Sequence, residues 1–389
     1  MQAVILAGGF GTRLAHIVKD VPKPMAPIAD IPFLKYQYDL FSSQGVDNFV
    51  FLTGYKSEVI EAYFENYANI KFIKEEHPLG TGGAVLNAFK YLEDDFLLVN
   101  GDTFFDVDLS VLDKFSKDKP ISMSLRYTDN IKRYGFVSLK DQSSFLVNEF
   151  IEKGELPANC IDGFINGGIY QIKKNVLVEF YESFKDEMIS FETDILPSLI
   201  NHKKVYGLPL GGVFIDIGIP EDYHTSQNLI PNWIKKERRP ALFLDKDGTL
   251  IQDEGYSHGP NIQLIESTFN LVKEYSDKGY YIVMITNQAG VAKQKFELSQ
   301  MFENIDAVKS QYLLKGVSFD DIEYCCYHEK ALDTSLCYVS LLRKPSPGML
   351  LKASEKLKID MSNSVMVGDN MDVDNINLPY LKRIILENR

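Results

Sequence analysis

Apolar residues fall in short runs along the chain, each closing on polar or glycine-rich residues. AVILA (3–7), NFVFLTG (48–54), DFLLVNGD (95–102) and ISMSLRY (121–127) have the length and composition of buried strands, and 33–44 and 83–92 carry helical spacing. Alternation of this kind predicts an α/β fold with a largely parallel sheet. TSQNLIPNWIKKERRP (225–240) breaks the pattern with the only tryptophan, two prolines and a charge run. The alternation then restarts with ALFLD (241–245), a helix over 264–277, YYIVMITN (280–287), a helix over 298–314 and SVMVGD (364–369). The expectation is two α/β domains, 1–230 and 241–389, joined by a linker over 231–240. Each is a mainly parallel sheet with helices on both faces. Sites in such sheets lie at the C-terminal ends of strands, where the polar residues here collect. No internal repeat or low-complexity segment is found.

Composition narrows the chemistry. The 389 residues are 45% apolar and 24% charged, ordinary for a chain that buries a full core. A formal net charge of −13 argues against nucleic acid or a membrane surface as partner, so anionic substrates would need local Lys and Arg. Four cysteines (Cys160, Cys325, Cys326, Cys337) do not suggest a disulfide framework. No apolar run approaches the roughly 18 residues of a membrane span, and no basic-then-apolar leader is visible; a cytoplasmic location is expected.

Gly8-Gly9-Phe10-Gly11-Thr12-Arg13-Leu14 follows the first strand. Glycines there let backbone N–H groups approach a polyphosphate, and Arg13 can neutralise it. A Walker A loop would need Gly-Lys-Ser/Thr where Arg13-Leu14 stands, and a dinucleotide fingerprint would need a third glycine at Leu14. Pro22-Lys23-Pro24 alone would be a solvated lysine. After GGFGTRL it resembles the signature of sugar-1-phosphate nucleotidyltransferases. That resemblance implies that Gly8, Gly9, Gly11 and Thr12 hold the triphosphate. Pro78, Gly80, Thr81 and Gly82 of PLGTGGA (78–84) would meet the nucleobase. Glu152, Lys153, Asn166 and Gly167 would meet the sugar, and Asn100-Gly101-Asp102 resembles the metal-aspartate segment, with Asn100 touching substrate and Asp102 and Asp216 binding metal. An Asp at a strand end is by itself often a cap, so the order of the motifs carries the case. RYGFV (133–137), FINGGIY (164–170) and FIDIGIPEDY (214–223) are most similar to D-glycero-D-manno-heptose 1-phosphate guanylyltransferases, with mannose-1-phosphate guanylyltransferases next. In this chemistry a sugar-phosphate oxygen attacks the α-phosphorus of a nucleoside triphosphate and pyrophosphate leaves. Catalysis is positioning and charge neutralisation: Mg²⁺ on Asp102 and Asp216, with Arg13 and Lys23 against the phosphates.

Asp245-Lys246-Asp247-Gly248-Thr249, after the strand that reopens the alternation, resembles motif one of haloacid dehalogenase-type phosphatases. The resemblance implies Asp245 as the nucleophile that forms an aspartyl phosphate, and Asp247 as general acid, then base. Thr286 and Asn287 would hold the phosphoryl group. Lys344 would neutralise nucleophile and phosphate, and Arg343 would contact substrate. Asp245, Asp247 (through its carbonyl) and Asp369 would bind Mg²⁺. An EF-hand reading fails for want of the later acidic ligands. Only 38 residues separate Asp247 from Thr286, too few for a cap domain, so GVAKQKF (290–296) and DEGYSHG (253–259) are the candidate specificity loops. TNQAG and RKPSPGM resemble the histidinol-phosphate and heptose-bisphosphate phosphatase branch. That branch often carries a structural zinc. Here Cys325, Cys326, His328 and a lone Cys337 do not close a tetrahedral site, and no structural zinc is expected.

The two resemblances meet on one intermediate. A heptose 1,7-bisphosphate 7-phosphatase makes the 1-phosphate that a guanylyltransferase activates with GTP, giving GDP-heptose for lipopolysaccharide or other surface glycans. Two other readings stay open: a mannose- or glucose-1-phosphate nucleotidyltransferase fused to a phosphatase for another phosphomonoester, and a non-catalytic nucleotide-sugar-binding domain that regulates the phosphatase. The expected partners are sugar phosphates and GTP. Nucleotidyltransferases of this type often self-associate, so a homo-oligomer is admitted.

Overall fold

The computed structural model describes residues 1–9, 14, 17–18, 20–131, 135–141, 143–151, 160–184, 187–253, 255–256 and 259–386. Gly11, Thr12, Arg13, Glu152 and Lys153 lie outside the described residues. The fold is α/β throughout, in two compact units. The first comprises Met1–Arg126, Val137–Phe150 and Asn166–Lys236; the second comprises Tyr127–Phe136, Ile151–Ile165 and Glu237–Arg389. No helix of the described residues is long and apolar enough to cross a membrane.

In the first unit Gln2–Leu6 pairs in parallel with Asn48–Thr53 on one side and Asp95–Asn100 on the other, and Asn48–Thr53 pairs in parallel with Ile70–Lys74. Gln2–Leu6, Asn48–Thr53 and Asp95–Asn100 are apolar runs because both faces are covered, whereas the edge strand Ile70–Lys74 interleaves apolar residues with lysines. Beyond Asp95–Asn100 the sheet turns antiparallel with Gly163–Lys173, and Ile121–Thr128 pairs with that strand and with Val205–Pro209. Gly163–Lys173 was expected only as a binding motif, because its glycines and asparagine mask a strand. Gly167 is required by packing: a Cβ there would come within 2.7 Å of the Phe105 ring. The helix expected over 83–92 starts at Gly80 and ends at Asn87, followed by a tight turn at Phe89–Tyr91. PLGTGGA is therefore half loop and half first turn. Its free N–H groups are satisfied by a neighbour: Gly82 N and Gly83 N both donate to Ile189 O, at 3.0 and 3.1 Å.

A short antiparallel pair joins Thr103–Phe105 to Phe214–Asp216, with Asp216 opposite Thr103. Helix Pro220–Ile234 follows and runs four residues into the segment expected as linker. Its Trp233, in the core, donates its indole N–H to the buried Asp106 Oδ2 at 2.6 Å.

The second unit carries a five-stranded parallel sheet in the order Asp321–Cys325, Tyr281–Asn287, Ala241–Leu244, Val365–Gly368, Lys382–Ile385. The chain builds outward on one side of Ala241–Leu244 and then on the other, so the central strand ends at the switch point where such sheets bind ligands. Helices Glu266–Asp277 and Leu298–Leu314 bury Phe269, Val272, Met301, Ile305 and Val308 in this unit's apolar core. In the same unit Asp162 is buried and accepts hydrogen bonds from Tyr127 Oη (3.2 Å), Ser340 Oγ and Leu341 N (2.7 Å).

Trp233 is the only tryptophan, so its emission follows the first unit alone. Asp106→Ala should lower the stability read by indole fluorescence in a urea titration by about 2 kcal/mol, since a charge-assisted buried hydrogen bond is lost. An unchanged midpoint would show the pair to be energetically neutral.

Candidate active sites

The first unit holds a cavity of about 640 Å³ at the C-terminal ends of its parallel strands. Gly8, Gly9, Lys23, Pro78, Gly80, Thr81, Asn100 and Asp102 all line it. Backbone crowding explains the glycines. A Cβ on Gly101 would sit 2.1 Å from Leu6 O, and one on Gly80, at φ +72°, would sit 2.5 Å from Ile189 O. Gly82 turns away from the cavity and packs on Ser190 and Ile195. Lys23 Nζ lies 2.5 Å from Asp102 Oδ2 and 3.9 Å from Asp216 Oδ1, so the Asp216–Thr103 register has gathered two carboxylates about one cation. Asn166 sits on Gly163–Lys173, where its amide donates to Tyr170 Oη at 2.5 Å and its Oδ1 accepts from Gly168 N. Gly168, at φ +73°, packs against Asn100.

Three cavity glutamates, Glu75, Glu76 and Glu192, are absent from the sequence expectations, and two of them are held by hydrogen bonds. Glu75 accepts from Leu79 N at 2.9 Å, and burial raises its pKa above the usual range. Glu192 accepts from Thr81 Oγ1 at 2.9 Å; burial raises its pKa too, with the charge of Asp102 adding. Glu192 lies 111 positions from Thr81, and its segment, FETDI, offers no recognisable spacing.

In the second unit the site forms where Ala241–Leu244, Tyr281–Asn287 and Val365–Gly368 end. Asp245 N donates to Val367 O at 3.0 Å, fixing the first aspartate against the last strand. Gly248, at φ +80°, leaves room for Asp369, whose carboxylate a Cβ would meet at 2.3 Å. Lys344 Nζ lies 2.5 Å from Asp245 Oδ1 and 2.6 Å from Asp374 Oδ1; the side chains of Lys344 and Asp374 are each only 1% exposed. Burial opposes the Lys344 ammonium, but the charges of Asp245 and Asp374 outweigh it and hold its pKa above the ordinary value. Burial pushes the Asp245 carboxyl up to about 6 against the pull of Lys344.

Asp374 was missed in the sequence. Acidic residues follow Gly368-Asp369 at 372 and 374, and spacing alone does not choose between them. Helix Met371–Asp374 turns Asp374 inward against Gly368, where a Cβ would meet it at 2.2 Å.

Asn287 serves the backbone: it donates to Lys344 O at 3.1 Å and accepts from Lys344 N at 3.0 Å. Thr286 Oγ1 accepts from Gln288 Nε2 at 2.7 Å, and the same nitrogen lies 3.2 Å from Asp247 Oδ2. One guanidinium nitrogen of Arg343, Nη1, is buried without a hydrogen-bond partner among the described residues. Cys325 and Cys326 are buried, which raises their thiol pKa to about 12 and about 11. Cys326 Sγ contacts Met301 Sδ, Cys337 Sγ faces Glu329 O, and His328 Nδ1 accepts from Lys330 N.

Asp245, Asp369 and Asp374 each place a carboxylate oxygen within 4.8 Å of the others. Among the described residues these three carboxylates face one buried ammonium group, Lys344, paired with two of them, so the set would accept a divalent cation. An all-oxygen carboxylate set suits Mg²⁺.

The nucleotidyl transferase family model matches residues 2–232, and the model for polynucleotide kinase 3 phosphatase matches residues 241–377. The D-glycero-alpha-D-manno-heptose 1-phosphate guanylyltransferase of Campylobacter jejuni is 41% identical over 227 residues, 58% of this chain and 97% of that protein. The enzyme of the same description from Aneurinibacillus thermoaerophilus is 40% identical over 240 residues, 60% of this chain and all of its own length. The crystal structure of HddC from Yersinia pseudotuberculosis, also solved with GMP-PN, superposes with a TM-score of 0.51 at 35% identity, covering 58% of this chain and 97% of that one. The cavity, the paired carboxylates and the lysine-braced aspartates therefore belong to a bifunctional enzyme: the chain is a member of the nucleotidyl transferase family that carries a haloacid dehalogenase-like phosphatase domain after it.

Proposed function

We propose that the chain catalyses two consecutive steps on one sugar, with the transferase in 1–230 and the phosphatase in 241–389. The phosphatase removes the C7 phosphate of D-glycero-α-D-manno-heptose 1,7-bisphosphate. The transferase then joins GMP from GTP to the resulting heptose 1-phosphate and releases pyrophosphate. The observation that carries this reading is 41% identity to a heptose 1-phosphate guanylyltransferase over 97% of its length, in a chain that also holds a phosphatase.

In the first unit Gly8 and Gly9 offer backbone to the triphosphate, and Thr81 and Gly80 border the nucleobase end of the cavity. Glu75 and Glu192 supply acceptors for nucleobase N–H or sugar hydroxyl groups. Lys23 places its charge where the phosphates meet Asp102. Asp102 and Asp216, already gathered about an ammonium group, would hold Mg²⁺.

In the second unit Asp245 attacks the phosphorus of the C7 phosphate. The P–O bond to the sugar breaks, and Asp247 protonates the departing oxygen. Asp247 then accepts a proton from the water that hydrolyses the aspartyl phosphate. Lys344 holds Asp245 ionised and in place. Asp369 and Asp374 would complete the carboxylate set for Mg²⁺, and Asp247 would contribute its carbonyl. In both units the bound ion would supply charge neutralisation at the phosphate oxygens. A substrate with a second phosphate needs a second cationic surface. We assign it to the neighbourhood of His328, which lies within the field of Arg343, Lys293 and Lys330.

Purified protein incubated with Mg²⁺, GTP and the bisphosphate should release phosphate first, then pyrophosphate and a GDP-sugar. Phosphate alone would mean that the transferase uses another sugar or base; no product would remove the heptose assignment from both halves. Asp245→Asn should cut phosphate release by roughly 10³-fold or more and leave pyrophosphate release from heptose 1-phosphate intact. Asp102→Asn should do the reverse, with a loss of about 10²-fold or more in transfer. Parallel loss of both activities in either variant would contradict two separate sites. Chelation should stop both reactions and added Mg²⁺ restore them, followed by product release; activity that survives chelation would overturn the metal assignment.

A further inference from the structure

Lys246, between the two motif aspartates, is a residue for which the proposed chemistry gives no role. Its side chain is completely buried, whereas that of Asp247 is 24% exposed. It therefore reaches neither solvent nor substrate. Among the described residues its ammonium has two oxygen partners, Asp247 Oδ1 at 2.5 Å and Asn304 Oδ1 at 2.7 Å. Asn304, buried on helix Leu298–Leu314, donates its own amide to Gly259 O at 3.0 Å, and Gly259 N donates to Gln300 O at 3.2 Å on the same helix. The lysine's backbone is equally fixed: Lys246 O accepts from Leu250 N at 2.9 Å and Ile251 N at 3.1 Å. The other oxygen of Asp247, Oδ2, faces Gln288 Nε2 at 3.2 Å, a longer contact to a neutral donor that is also bonded to Thr286.

A buried ammonium is costly, and an apolar side chain would fill the space without that cost. What the charge adds is direction. It takes one oxygen of the Asp247 carboxylate and leaves the other to the Gln288 amide, in a side chain that stays 24% exposed. A general acid must present its proton-bearing oxygen within hydrogen-bond reach of the leaving oxygen, so freedom to rotate costs rate only where a proton is needed.

We propose that Lys246, aimed by Asn304, is the positioning residue for Asp247, and sets how well the phosphatase releases leaving groups that must be protonated. This rests on the assignment of Asp245 as nucleophile and Asp247 as general acid. In the step concerned, Asp245 forms a bond to phosphorus, the P–O bond to the leaving group breaks, and a proton passes from Asp247 to the departing oxygen. A sugar alkoxide cannot leave without that proton. A 4-nitrophenolate can.

The experiment uses the full-length enzyme with Mg²⁺ and compares kcat/KM for 4-nitrophenyl phosphate, phenyl phosphate and an alkyl phosphomonoester. This ratio reports the steps through leaving-group release and is indifferent to hydrolysis of the phosphoenzyme. Lys246→Met should lower kcat/KM for the alkyl ester by about 100-fold and for 4-nitrophenyl phosphate by less than about 5-fold, the size of a lost acid-catalysis contribution. Lys246→Arg should recover much of the alkyl activity. Asn304→Ala leaves Lys246 in place and should shift the alkyl-to-aryl ratio in the same direction by a smaller factor, which keeps the test usable if Lys246→Met fails to fold. Equal losses on all three esters would overturn the proposal and leave Lys246 a structural residue, as would an Asn304→Ala enzyme with an unchanged ratio. Failure of the underlying assignment looks different: Asp245→Asn would retain 4-nitrophenyl phosphate hydrolysis, or Asp247→Asn would lower all three esters equally.

Discussion

In the proposed chemistry, a carboxylate able to attack a phosphate dianion must be both desolvated and kept charged, and the buried ions of the second unit fit that demand. Withdrawing Asp245 from water pushes its pKa up to about 6. The opposing force is the Lys344 ammonium, itself buried and shared with Asp374. Neither ion is affordable alone in this interior, because an unpaired buried charge costs several kcal/mol. The three therefore stand or fall together, and the surrounding backbone is fitted to them. Gly248 and Gly368 lack side chains where Asp369 and Asp374 pass, and Asn287 grips the peptide that carries Lys344 at both its N–H and its carbonyl.

The first unit meets a milder version of the same conflict. Asp102 and Asp216 keep roughly a third of their side-chain surface exposed, so water still helps to carry their charge. Lys23 bridges them without the deep burial seen at Lys344. Under the proposed reactions, a transfer that forms no bond to the protein has less need to strip its carboxylates of water than a hydrolysis that uses a carboxylate as nucleophile.

Much of this was legible in the chain itself. Strands came from apolar runs, and motifs came from the polar residues at their ends, because parallel sheets bury both faces and leave chemistry only at the rim. What the sequence concealed was through-space. Glu192 meets Thr81 across 111 positions, and Asn304 meets Lys246 across 58. Asp374 competes with Asp372 until a helical turn chooses between them. The helix start at Gly80 was obscured for another reason: its N–H groups are satisfied by a distant carbonyl, so no local capping residue announces it. Gly163–Lys173 hid because glycine and asparagine, poor strand formers, are tolerated where Phe105 and Asn100 crowd the backbone.

The second unit is not one continuous stretch. It takes in Tyr127–Phe136 and Ile151–Ile165, both within the segment matched by the nucleotidyl transferase family. Asp162, from the latter, accepts from Ser340 and from Leu341 N, a few residues ahead of Lys344. A gene split or a protease nick at the charged stretch near Glu237 would thus deliver a phosphatase fragment with its catalytic strands complete but this carboxylate gone.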